Sequence, residues 1–140
     1  DPDDLKWKCW FHAGNNTGPR QTYYATCPGA SDPGGANWTI QNGGTNVVPI
    51  GAGGTWEDQR TVDCKVLRVS SSLMVMMYSG VKVSTGVAQL GVATSTDRGL
   101  TWTKYGGNPA IAVGAAGTWD AGAIWGPAFI YDENLKLYLC

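Results

Sequence analysis

Four carboxylates and three tryptophans are spaced so that they could act together. Glu57 and Asp58 directly follow Trp56, Asp120 follows Trp119, and Asp63 stands in the apolar run Thr61-Val62-Asp63-Cys64-Lys65-Val66; Trp125 leads a further apolar stretch. Two carboxyl groups on opposite sides of a reacting bond can deliver one proton and remove another. Indole rings beside them offer flat faces to a substrate. Asp63 is the most pointed of the set, because a charge midway along an apolar strand is costly unless it faces a polar space or meets a partner. The competing expectation is an Asp satisfied by backbone N–H groups at a strand bulge. Glu57 and Asp120 recur after equivalent tryptophans, which argues for a turn role in each copy of a repeat. The candidate catalytic groups are thus Asp63, Asp58 and Glu57, and the candidate substrate-binding groups are Trp56, Trp119, Trp125 and Asp120. His12, the single histidine, closes its strand and reads as packing or surface rather than as an ion ligand. Cys9, Cys27, Cys64 and Cys140 follow no metal spacing; Cys9 and Cys64 read as buried thiols, with three pairings open if all were oxidised. No metal and no cofactor is expected.

The elements that must position these residues are strands. Residues 5–14 and 21–27 are β-prone, a glycine-rich turn leads into 37–40, and Val47-Val48-Pro49-Ile50 and the loop Gly51–Trp56 precede the strand 61–68. The order then repeats: 73–80, 90–95, 101–105, Asn108-Pro109-Ala110-Ile111, Gly117-Thr118-Trp119-Asp120 and the strand 123–130, with a third pass beginning at Leu135. The copies are offset by about 60 to 66 residues. A four-stranded antiparallel unit at that period, with no helical stretch between copies, is the signature of β-propeller blades. The run Met74-Val75-Met76-Met77 fits a strand buried on both faces. The prediction is therefore an all-β chain, one incomplete propeller segment over residues 1–140, with blade parts at about 5–50, 60–105 and 123–140. Two blades cannot close a ring, so the missing ones must come from a longer chain or from homo-oligomerisation. The stop in mid-strand favours a longer chain.

The turn Ser95-Thr96-Asp97-Arg98-Gly99-Leu100-Thr101-Trp102 fixes the register of the blades. Asp97 can accept N–H groups two residues on, Gly99 can take positive φ, and Trp102 can plug the gap beneath the hairpin. An earlier copy, Ser31 to Trp38, keeps the Ser, a Gly and the Trp but has Pro33 at the Asp position.

Bulk composition removes several function classes. Charged residues make up only 15%, and the net charge is −1 with no basic run, so nucleic acid and anionic membranes are poor partners. No apolar stretch approaches the roughly 18 residues that a spanning helix needs. Asp1-Pro2-Asp3-Asp4 is not a signal peptide, which leaves a mature form or a start inside a longer gene. Two sequons, Asn15-Asn16-Thr17 and Asn37-Trp38-Thr39, matter only in a eukaryotic secretory setting.

The repeat motifs together resemble the blades of five-bladed propeller glycosidases, the superfamily of arabinanases, xylosidases, invertase-like fructosidases and mannoside phosphorylases. Residues 93–104, Asn108-Pro109, Gly117–Asp120, Trp125–Tyr131 and Leu137–Leu139 carry the likeness. Thr61–Val66 is similar to the Arg-Asp-Pro stretch that carries the transition-state-stabilising Asp in invertase-like members, with Val62 and Cys64 replacing Arg and Pro. Trp125-Gly126-Pro127-Ala128 is similar to the Trp-Ala-Pro-Asp of arabinanase-like members, with Ala128 in place of Asp. The turn at Ser95 to Trp102 resembles the Asp-box, also found in six-bladed sialidases; in both groups it is a scaffold turn remote from the active site. No sialidase Arg triad can be placed. Glycoside cleavage ordinarily needs two carboxyls roughly 5–5.5 Å apart for retention or 6.5–9.5 Å for inversion. The resemblance implies a secreted or extracellular hydrolase or phosphorylase acting on plant or algal polysaccharide. The alternatives are a non-catalytic propeller that binds glycan or protein, and a module of an adhesin or phage fibre.

Overall fold

In the computed structural model, described for residues 4–15, 18–31, 33–35, 37–132 and 137–139, the chain is all-β apart from one 3-10 turn at Asn42–Gly44. Cys140, the Asn15-Asn16-Thr17 sequon, part of the Ser31 to Trp38 turn and the segment around Leu135 fall wholly or partly outside those residues. Strands β1 (Lys6–Ala13), β2 (Gln21–Pro28) and β3 (Thr39–Ile40) form one antiparallel sheet in that order. A four-stranded sheet follows, β4 (Arg60–Arg68), β5 (Met74–Val81), β6 (Ala88–Ser95) and β7 (Thr103–Lys104), and β8 (Ile130–Asp132) pairs with β9 (Leu137–Leu139). The three sheets, of three, four and two strands among the described residues, follow one another as partial propeller blades.

The two longer sheets bury their faces against each other. Tyr24, Val47 and Val48 from the first blade meet Met76, Tyr78 and Ala93 from the second in one core cluster, flanked by Trp10, Trp56 and Trp102. Burying each of the larger side chains stabilises the fold by about 1.5–3 kcal/mol. The methionine run packs fully on one side only: Met76 and Tyr78 are wholly buried, whereas Val75 and Met77 are half-buried. Corresponding returns outside the central strands make single bridges, Thr22 to Val48 and Leu90 to Ile111, so the two copies superpose in register.

The turn between β6 and β7 is tied from both sides. Asp97 accepts the N–H groups of Leu100 and Thr101 at 3.1 and 2.9 Å, the Thr101 hydroxyl at 2.5 Å and the Ser95 hydroxyl at 2.8 Å. The donors after Asp97 lie three and four residues on, one and two residues beyond the expected Asx geometry, and Ser95 lies two residues before it. The Gly99 carbonyl accepts the indole N–H of Trp102 at 3.0 Å and, from the neighbouring blade, that of Trp10 at 3.1 Å. Gly99 has φ +87°, and a Cβ there would collide with the Trp10 ring, so the position demands glycine twice over.

Some strands are shorter than the pattern suggests. Residues 37–40 and 101–105 reduce to two-residue ladders, because the turn consumes their first halves. The strand expected over residues 123–130 enters a ladder only at Ile130. Gly126 at φ +63° and Pro127, which has no N–H, break the β conformation before it.

Candidate functional site

The loop after β1, the loop before β4 and the loop after β5 all lie at one end of the strands, the end that carries His12 near the close of β1 and Asp63 near the start of β4. The loop before β4 is built by its own sequence. The Thr55 hydroxyl and N–H donate to the Ala52 carbonyl at 2.7 and 3.1 Å, and Gly54 turns the backbone at φ +90°. The same device recurs 63 residues on, with Thr118 donating to Ala115 at 2.8 and 3.0 Å and Gly117 at φ +93°. The Gly-Thr-Trp-acidic motif is therefore a turn in both blades.

Three of the four candidate carboxylates are engaged in that scaffold. Glu57 is buried, its Oε1 2.6 Å from the Lys104 ammonium, which also donates to the Pro49 carbonyl at 2.6 Å. Its Oε2 is buried without a hydrogen-bond partner among the described residues. Burial, reinforced by the Glu57 charge, pushes the Tyr78 phenol far above its ordinary value. Asp58 accepts the N–H groups of Val83 at 2.7 Å and Gly54 at 2.8 Å, clamping two loops together. Those backbone donors hold its carboxyl below the usual carboxylate value. Asp120 accepts the Thr118 hydroxyl at 2.7 Å.

The tryptophans divide as well. Trp56 lies over Gly80 and Gly91, where any Cβ would strike its ring, with the Tyr78 ring 6.0 Å away. Trp119, its counterpart, is 96% exposed, and Trp125 is 48% exposed.

Asp63 differs from the other carboxylates. The β4–β5 register jumps between Val62 and Lys65, so Asp63 and Cys64 together face Tyr78 across a β-bulge. Asp63 takes φ +50°, the left-handed conformation that such bulges reserve for glycine. Left-handed backbone is uncommon for a residue with a side chain, and Asp is one of the few types that enters it as a single residue at modest cost. Its carboxylate accepts no hydrogen bond among the described residues. It stands half-exposed with Oδ1 3.7 Å from Nδ1 of His12, whose side chain is 41% exposed, and its N–H points at the same nitrogen at 3.5 Å. The two contacts make alternative demands on Nδ1, which accepts the Asp63 N–H when it carries no proton and faces the carboxylate as a donor when it does. Beside Asp63, burial pushes the Cys64 thiol up to about 11, which keeps it protonated and unreactive at neutral pH. Cys9, Cys27 and Cys64 are free thiols.

At the same end lies an open groove of about 330 Å³ lined by Pro19, Ile50, Asp58, Gln59 and Val83 with two glycines. Its mix of apolar walls, one amide and one carboxylate suits a polar ligand with apolar faces. The pairing of His12 with Asp63 and the groove lining by Gln59 and Val83 were not legible in the sequence. A recurring register could have flagged His12, but only through its counterpart in the second blade. Among the described residues no three His, Cys, Asp or Glu side chains gather as metal ligands would, and no helix is long and apolar enough to cross a membrane.

Solved structures with this architecture include Zg3597, a family 117 glycoside hydrolase produced by the marine bacterium Zobellia galactanivorans. It superposes with a TM-score of 0.71 at 15% identity over 93% of this chain and 42% of its own. The chain shares its fold. A second glycoside hydrolase superposes at TM-score 0.62 and 13% identity over 94% of this chain and 46% of its own. BT0996, solved as an RGII complex, does so at 0.59 and 20% identity over 79% and 35%. The chain thus spans less than half the length of each. No family profile and no curated protein sequence matches it.

Proposed function

We propose that this chain is part of a secreted, carbohydrate-active propeller domain of glycoside hydrolase type, with Asp63 as its working carboxylate and extracellular polysaccharide as its ligand. The observation that carries the reading is the half-exposed, left-handed Asp63 near the start of β4, facing His12, in a fold that glycoside hydrolases also use. A carboxylate held free of hydrogen bonds can stabilise the positive charge that develops on a sugar ring as its glycosidic bond breaks. The second carboxyl of the pair comes from a further blade, supplied by a longer chain or a second copy. The groove beside Asp58 and Gln59 takes neighbouring sugars, and the exposed rings of Trp119 and Trp125 are further stacking surfaces.

A non-catalytic, glycan-binding module is the second reading. It is favoured by the engagement of Glu57, Asp58 and Asp120 in loop scaffolding and by Ala128 at the arabinanase Asp position. Incubation of the protein with all its blades present, whether in a longer chain or an assembly, with arabinan, xylan, pectin and agarose, followed by assay of released reducing ends, separates the two. Hydrolysis is expected in the wild type, with a loss of at least about 100-fold in Asp63→Asn at unchanged fold. Binding without release in the wild type would favour the module, and full activity in Asp63→Asn would remove Asp63 from the chemistry.

A further inference from the structure

The two junctions between consecutive blades share two equivalent hydrogen bonds. At the first, the Thr61 N–H donates to the Arg20 carbonyl at 3.0 Å; at the second, the Ile124 N–H donates to the Ala88 carbonyl at 2.9 Å. Two residues further on, each inner segment places a left-handed residue, Asp63 at φ +50° and Gly126 at φ +63°. The N–H of that residue points in each case at a side chain near the end of the preceding blade's second strand. The acceptor is His12 Nδ1 at 3.5 Å in one junction and Ser79 Oγ at 3.1 Å in the other. His12 and Ser79 occupy equivalent places, since they pair with Thr22 and Leu90, the residues whose outer bridges run to Val48 and Ile111.

The second junction shows what the joint needs as structure: a glycine for the left-handed turn and a small, wholly buried hydroxyl to accept its N–H. Neither an imidazole nor a carboxylate is required. The first junction makes the same connection with two ionisable side chains, at a longer distance, with a left-handed Asp in place of the glycine and with both groups reaching solvent.

From this comparison we infer that His12 is the positioning residue of Asp63. Its Nδ1 faces the Asp63 N–H, holds the left-handed turn and so sets the direction of the carboxylate. This rests on the reading of Asp63 as the working carboxylate. His12→Asn keeps an acceptor near the place of Nδ1, His12→Ala removes it, and the double variant His12→Ser with Asp63→Gly rebuilds the second junction at the first.

Hydrogen exchange of the Asp63 amide, thermal unfolding and reducing-end release on the four polysaccharides are measured on each full-length chain. His12→Asn is expected to keep the amide protected and to retain sugar release. His12→Ala is expected to lose up to about tenfold in protection, the worth of one hydrogen bond, and to lose sugar release with it. The double variant is expected to unfold no lower than the wild type and to release no sugar. Unchanged protection in His12→Ala, or a fall of more than about 4 °C in the double variant, overturns the joint. Intact protection effects with sugar release unaffected in every variant overturn instead the functional role of Asp63, and with it the positioning role of His12.

Discussion

Asp97 is the residue whose role was most fully written in the sequence around it. Burial works against its charge, but the hydroxyl and amide of Thr101, the Ser95 hydroxyl and the Leu100 amide outweigh that and hold its carboxyl below the ordinary 3.8. Asp97→Asn weakens this set of charge-assisted bonds and should cost about 1–3 kcal/mol in urea unfolding at pH 7. Because the folded value is depressed, the stabilisation is complete above the unfolded value and disappears as pH falls through the folded one. The gap in midpoint between wild type and Asp97→Asn should therefore close on acidification below about pH 4; a gap that stays constant would show that the charge is not what matters. Asp63 is the opposite case. Its sequence allowed for a strand bulge, but the bulge opposes Tyr78 of β5 and the side chain that meets Asp63 there, His12, lies 51 positions away.

At the scale of elements, the Gly-Thr-Trp-acidic loop is one motif with two outcomes. Its backbone turn is local and recurs unchanged, so the repeat was legible from spacing alone. The fate of the acid depends on what the blade places above it: Glu57 meets Lys104 of β7, whereas Asp120 turns back to Thr118. Removing Lys104 leaves a buried carboxylate without its cation, and Lys104→Met should cost about 3 kcal/mol or more. The double variant with Glu57→Gln should recover much of that loss, giving a coupling energy well away from zero in a double-mutant cycle. Additive effects would mean that the pair contributes nothing to holding the loop on the sheet.

For the whole molecule, blade stacking decides what each tryptophan does. Trp56→Ala should destabilise the fold by about 3–5 kcal/mol, since it empties the space over Gly80 and Gly91. Trp119→Ala in this chain should change stability by less than about 0.5 kcal/mol, because the ring is 96% exposed among the described residues. Equal losses at both positions, measured by chemical unfolding, would contradict the stacking described. The sequence by itself determined the blade repeat, the Ser95 to Trp102 turn and the short set of carboxylates worth inspecting. Strand alternation, turn glycines and side-chain bonds to nearby backbone all act within a few residues. Only the tertiary structure decided which carboxylates are spent on scaffold, which tryptophan is covered, and that His12 faces Asp63. Those are contacts between separate blades, and they exist only once the sheets have packed face to face.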